Sequence, residues 1–223
     1  MIKNIFFDFD GVLCESVAVK TEIFRKLYEP FGKEIADKVV AHHLAHTGVS
    51  RFEKIPYYHK TFLNIELSSQ EVNEWAGQYS KLAVEAVLNA EEVAGAKNFL
   101  EQHYQLYKLW IISATPTGEI RQIVKQKEWE KYFVNVYGAP EKKGYWTEKI
   151  ISEYTLKREE TVFVGDALAD QKAATDSGVI FILRRTKQNA SLFGDYQGFE
   201  IKDLNELDTV IQIINKNSHH SAH

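Results

Sequence analysis

The sequence holds a single cysteine, Cys14, in 223 residues. No disulfide can close within the chain, and a reducing, cytoplasmic setting suits it. Long apolar runs are also missing. Nothing approaches the roughly 18 residues of a membrane helix, and the first apolar stretch is short and broken by Asp8, so it does not read as a secretory signal. Strong charge of either sign is absent too. A formal net charge of −4 gives no basic footprint for nucleic acid and none for an anionic membrane. Internal repeats and low-complexity segments are lacking. What is present is ample core-forming material, with 44% apolar residues, in a length that suits one large domain or a core plus a smaller module. The oligomeric state is left open.

The apolar residues are patterned in two ways. Short segments at Lys3–Asp8, Tyr107–Ile112, Phe133–Tyr137, Thr161–Val164 and Val179–Leu183 read as buried strands. Helical spacing lies between them, over residues 93–102, 119–127, 145–154, 170–176 and 204–214. Alternation of this kind predicts an α/β fold, a Rossmann-like parallel sheet with helices on both faces. From Ser16 to about Ala90 the strand signal disappears. Val17, Ile23, Phe24 and Leu27 suit one helix; Ile35, Val39, Val40 and Leu44 a second. Phe52, Ile55, Tyr58 and Phe62 suit a third, with Pro56 either in its first turn or at a kink. Ser68 and Glu71 read as a capping box opening a fourth. The predicted organisation is a core of residues 1–15 and 91–215, an inserted all-helical cap of residues 16–90, and a polar, flexible tail of residues 216–223.

Polar residues stand where the strand runs stop. The first run ends at Asp8-Phe9-Asp10-Gly11, the second at Ser113-Ala114-Thr115, and the fourth at Gly165-Asp166 with Asp170 beyond. Lys142-Lys143 follows the third. In an open α/β sheet, ligands bind beyond the carboxyl ends of the strands, so these residues are predicted to converge. Each also has a plain structural reading. Asp and Gly are common in turns, Ser113 suits a helix cap, Asp166 and Asp170 suit another, and the lysines suit a solvated turn.

In their order along the chain, the four motifs resemble those of the haloacid dehalogenase superfamily of phosphotransferases. The resemblance runs from Ile5 to about Arg185 and extends to small-helical-cap members such as phosphoglycolate phosphatase and β-phosphoglucomutase. It implies Asp8 as nucleophile and metal ligand, and Asp10 as acid/base, with its backbone carbonyl a further ligand. Ser113, the Ala114 N–H and Lys143 would bind the phosphoryl group. Asp166 would be a metal ligand, Asp170 a ligand or supporting partner, and Mg2+ the cofactor. A carboxylate nucleophile splits phosphoryl transfer into two easier steps, and a hard cation suits oxygen ligands that must also approach a phosphate. The lysine motif, Gly138-Ala139-Pro140-Glu141-Lys142-Lys143-Gly144, departs from the commonest pattern; it favours Lys143 and leaves Lys142 open. Cys14-Glu15-Ser16 also departs, in a segment expected to act as hinge only. Cys14 itself reads as a small buried residue.

Gly48-Val49-Ser50-Arg51 resembles the cap specificity loop of the same relatives, which implies substrate binding by Arg51. His42, His43 and His46 lie close in sequence, but nearby Cys or acidic partners for zinc are missing, so they read as lining the cleft or as a polar helix face. The implied activity is Mg-dependent hydrolysis of a small phosphorylated metabolite, a phosphosugar or phosphoglycolate-like ester. An acid at position 10 argues against carbon–halogen chemistry, which needs no proton for an alkoxide. A hexose-phosphate mutase is the second reading, and a non-catalytic phosphate- or partner-binding protein is the third.

Overall fold

The computed structural model describes residues 1–220, with side chains to residue 217. Six strands form one sheet: β1 (Asn4–Phe7), β2 (Lys108–Pro116), β3 (Asn135–Ala139), β4 (Thr161–Gly165), β5 (Ile180–Arg184) and β6 (Phe199–Ile201). Their order is β3-β2-β1-β4-β5-β6 and every pairing is parallel. β1 is central, with Phe7 in register with Ile111 on one side and Val164 on the other. The residues after these three strands therefore meet at one edge of the sheet.

Successive side chains of a strand point to opposite faces, and β1 shows the consequence. Ile5 and Phe7 join Leu109, Ile111, Val162 and Val164 in one apolar cluster, while Phe6 joins Trp110, Ile112 and Phe163 in another. The first layer is covered by α5 (Ala96–His103), α6 (Thr117–Gln126) and α9 (Leu207–His220), the second by α7 (Lys143–Glu153) and α8 (Leu168–Asp176). The α/β architecture is the one the sequence predicts.

Between β1 and β2 lie α1 (Val17–Tyr28), α2 (Lys33–Ala45), α3 (Arg51–Tyr58) and α4 (Ser69–Asn89). They enclose a third apolar cluster built on Phe24, Tyr28, Val39, Ile55, Tyr58 and Tyr79. The capping box at Ser68 and Glu71 is present. Pro56 sits inside α3, past its first turn, and the helix widens into a π-type turn over His59–Leu63. A proline supplies no N–H to the carbonyl one turn back and crowds it, so the regular ladder is interrupted there. Asn64 then takes a left-handed conformation, φ 55°.

Two elements differ from expectation. β6 is three residues long, too short to carry an apolar run. α9 continues past Ile214 to His220, so residues 216–220 of the expected flexible tail belong to a helix; residues 221–223 lie outside the described residues.

Candidate active site

Asp8 follows β1 directly, and its N–H donates to the Val164 carbonyl at 3.0 Å. The chain then folds back on itself, with the Leu13 and Cys14 N–H groups donating to the Phe9 carbonyl. Gly11 has φ +77°, and a Cβ there would lie 2.1 Å from Asp166 Oδ2. Only glycine lets this turn press against the acid at the end of β4.

The Asp8 carboxylate is buried between groups from three strand ends. Its Oδ1 accepts from the Phe9 N–H at 2.7 Å and its Oδ2 lies 2.8 Å from Lys143 Nζ. Lys143 is the first residue of α7; its ammonium also reaches Asp170 Oδ1 at 2.5 Å. Lys142 points the other way, largely exposed, and pairs with Glu53 at 3.2 Å. Geometry thus separates the two lysines that the sequence left open. Asp170 Oδ2 accepts from the N–H groups of Asp166 and Ala167, so its capping role and its contact with Lys143 coexist.

Asp8, Asp166 and Asp170 offer oxygens within 4.8 Å of one another. Among the described residues, neither a cation nor a hydrogen-bond donor touches the Asp166 carboxylate. Burial and the neighbouring Asp8 and Asp170 push its proton affinity well up. Burial, with Asp170, also raises Asp8 to about 7, against the opposing pull of Lys143. Lys143 is held firmly charged: burial disfavours its ammonium, but Asp170 and Asp8 outweigh that. Such a cluster is short of positive charge and offers hard oxygen donors, which fits a small divalent cation such as magnesium.

Asp10 turns its carboxylate away from this cluster. Oδ1 accepts from Ser16 Oγ at 2.6 Å; Oδ2 accepts from Lys20 Nζ at 2.5 Å and Thr115 Oγ1 at 3.1 Å. Burial would raise its pKa, but the charge and hydrogen bond of Lys20, with Ser16 and Thr115, hold it below the usual carboxylate range. The Cys14-Glu15-Ser16 segment, expected to be a hinge only, therefore touches the candidate acid/base. Cys14 is buried and its thiol is pushed up to about 11 by desolvation, as a packing residue would be.

Ser113 is buried in β2 and its Oγ accepts from the Thr115 N–H at 3.0 Å. Pro116, not Ser113, occupies the cap of α6, so the plain capping explanation of Ser113 does not hold. Asn189 donates to the Asp166 carbonyl at 2.8 Å, and Arg184 to the Gly11 carbonyl at 2.8 Å. These two residues brace the turns and were not singled out from the sequence.

The helical block closes over the site. Gly48, φ +79°, would place a Cβ 3.0 Å from that of Ala167 and 3.6 Å from Lys143 Nζ. A cavity of about 60 Å³ remains, reached by Asp8, Asp10 and Asp166 from below and by Lys20, Arg51 and Lys54 from above. Arg51 lines it, but its guanidinium is already taken. Both of its terminal nitrogens meet Glu119, at 3.0 and 2.9 Å, Ser80 lies 2.6 Å away, and Tyr79 is stacked beneath it with its centroid at 4.4 Å. His42 and His46 stack on each other at 3.9 Å, whereas His43 turns inward. None of the three joins the acidic cluster.

The family model for haloacid dehalogenase-like hydrolases matches residues 5–183. The chain belongs to that family. It is 25% identical over 184 residues to a phosphorylated carbohydrates phosphatase of Thermotoga maritima, covering 80% of this chain and 82% of that one. Its fold resembles a β-phosphoglucomutase from Clostridium difficile, with TM-score 0.78, 17% identity and coverage of 97% and 99%. It likewise resembles a predicted phosphoglycolate phosphatase from Haemophilus somnus, with TM-score 0.70, 17% identity and coverage of 94% and 98%. At such identities the structural likenesses bear on the haloacid dehalogenase-like fold alone. No helix among the described residues is long and apolar enough to cross a membrane.

Proposed function

We propose that the chain is a magnesium-dependent phosphatase of a small phosphorylated metabolite, a phosphosugar or phosphoglycolate-like ester, working through a phosphoryl group carried on Asp8. As a phosphomonoester hydrolase of the haloacid dehalogenase type, it needs a nucleophile, an acid/base and charge neutralisation at one point. The observation that carries the reading is the Asp8 carboxylate, fixed at the end of β1 between Lys143 and the under-compensated Asp166. The phosphatase of phosphorylated carbohydrates among its relatives supports the same substrate class. In this reading residues 1–15 and 91–215 are the core and 16–90 a cap, in a cytoplasmic enzyme.

Asp8, Asp166 and the Asp10 backbone carbonyl would hold magnesium, with Asp170 in support. When bound, it would supply positive charge that lets carboxylate and phosphate approach each other. Phosphoryl transfer is mainly positioning and electrostatics. In the first half, Asp8 attacks phosphorus, the ester P–O bond breaks, and the leaving oxygen takes a proton through Asp10. Lys20 donates to Asp10 Oδ2 at 2.5 Å and orients the carboxyl that delivers that proton. Lys143, Ser113 and the Ala114 N–H hold the phosphoryl oxygens. In the second half, the ionised Asp10 takes a proton from water as its oxygen attacks phosphorus, and the bond to Asp8 breaks.

A panel of phosphorylated metabolites, assayed for released phosphate with magnesium, tests this reading. Release from small phosphate esters is expected. Interconversion of glucose phosphates with little free phosphate would favour the mutase, and no turnover even of p-nitrophenyl phosphate would favour a binding protein.

A further inference from the structure

The cations above the cavity are not equally satisfied. Arg51 is paired by Glu119, Lys20 by Asp10, and Lys143, on the core side, by Asp8 and Asp170. Among the described residues, no carboxylate comes within ion-pair distance of Lys54. Its neighbour in sequence, Glu53, pairs with Lys142 instead. Lys54 is 3% exposed, and its polar contact is His43 Nδ1 at 3.0 Å. An ammonium buried without an anion is costly, and the usual response is loss of the proton. Burial, together with Lys20 and Lys143, lowers Lys54 to about 7.

A second observation is independent of that charge. His43 is 6% exposed and lines the same cavity, yet its Nε2 is buried with no hydrogen-bond partner. The ring is set by packing on Phe24, at 4.9 Å between centroids, and by the contact of Nδ1 with Lys54. Purely structural buried side chains pair such atoms. Here a cation and a ring nitrogen, from α3 and α2, are left open on the wall that faces Asp8 and Asp10.

We propose that Lys54 and His43 form a second anion subsite, which takes an anionic group of the substrate other than the phosphoryl group being transferred. The shared chemistry is a carboxylate or second phosphate on the same short carbon frame, bound by charge-assisted hydrogen bonds. This inference rests on the phosphatase reading and specifies its substrate: Arg51, held by Glu119, leaves Lys54 as the cavity cation in need of an anion.

Matched substrates test it. 3-Phosphoglycerate and glycerol 3-phosphate differ by one carboxylate; fructose 1,6-bisphosphate and fructose 6-phosphate differ by one phosphate. The wild-type enzyme should favour the charged member of at least one pair by about tenfold or more in kcat/KM, the range of hydrogen bonds to charged groups. Lys54→Met should erase that preference mainly through KM, and Lys54→Arg should restore part of it. Because an unpaired buried charge is removed, Lys54→Met should melt no lower than wild type. If Lys54→Met proves insoluble, His43→Phe, read by the same ratio, should weaken the preference. The pair that shows the preference identifies the anion. Equal use of both members by an active wild type, or a preference that survives Lys54→Met, overturns the subsite. Failure to hydrolyse any of the four or p-nitrophenyl phosphate overturns the phosphatase reading and this inference with it.

Discussion

The two walls of the cavity carry opposite charge, and they come from different parts of the fold. The sheet end supplies Asp8, Asp10 and Asp166 to the cavity, with Asp170 and the ammonium of Lys143 paired beside Asp8. The helical block supplies Lys20, Arg51 and Lys54, and no carboxylate of that block lines the cavity. Contacts between the walls settle part of the difference, through Lys20 with Asp10 and Arg51 with Glu119. What stays unmatched differs on each side. Among the described residues, no cation pairs directly with Asp166 below, and no anion pairs directly with Lys54 above. An excess of buried acid calls for a metal; an excess of buried base calls for an anionic substrate. The two shortages teach more about the reaction than either wall alone.

The comparison breaks most sharply at Asp8. If Asp8 is the nucleophile and a metal ligand, as proposed, Asp8→Asn should cut phosphate release at least about a thousandfold, roughly 4 kcal/mol of barrier. EDTA should abolish wild-type turnover and magnesium restore it. Substantial turnover by the Asn variant, or indifference to EDTA, would remove Asp8 from the chemistry.

Lys143 comes next. Lys143→Met should slow turnover about a hundredfold or more, as loss of a transition-state donor does. It should also destabilise the metal-free fold by about 3–5 kcal/mol, because Asp8 and Asp170 lose their buried counter-charge. Lys142→Ala, at the solvent edge, should change kcat only within about threefold. Reversed ranking in steady-state assays would exchange the two roles.

Removing Lys20 sharpens the contact between the walls. Lys20 helps hold the Asp10 pKa below its usual value. A lowered carboxylate pKa contributes stability present above the unfolded value and lost as pH falls through the folded one. Lys20→Met should therefore move the acidic limb of the kcat profile to higher pH. It should also slow alkyl phosphates more than p-nitrophenyl phosphate, whose leaving group needs no proton. An unmoved limb with equal losses on both substrates would make Lys20 a packing residue.

Arg51 should show the smallest effect on chemistry and a visible one on stability. Its pair with Glu119 is partly exposed on the acid's side, so Arg51→Ala should cost about 1–2 kcal/mol in thermal or urea unfolding. Glu119→Gln should cost little more when added to it. Additive losses in that double-mutant cycle would mean that the two groups act separately.

The sheet end was legible in the sequence because a buried strand must stop somewhere, and a polar residue at that stop faces the crevice. Asp8 and Asp166 were found in that way; Ser113 ends such a run without lining the cavity, and Lys143 was preferred to Lys142 only through the family resemblance. The helical wall was not legible to the same degree. Lys20 and Lys54 lie on helices whose facing is set by packing against Phe24, Tyr79 and the core, which no local spacing reveals; His43 was read only as one of three histidines that line the cleft or a polar helix face. A usable signal existed for Lys54: it stands three residues after Arg51, on the same helix face. Thr115 reaches the site from within β2 and Arg184 from the end of β5, whereas Asn189 comes from the turns after β5. β6 escaped notice because a three-residue edge strand carries no apolar period.

The most direct measurement of the central claim is acid-quenched mass spectrometry of the peptide containing Asp8, taken during turnover with magnesium. The account predicts a phosphoryl group on Asp8 that appears with substrate, decays once substrate is exhausted, and is absent from Asp8→Asn. Steady hydrolysis with no phosphoryl group on Asp8 at any time, or with one on Ser113 instead, would contradict it.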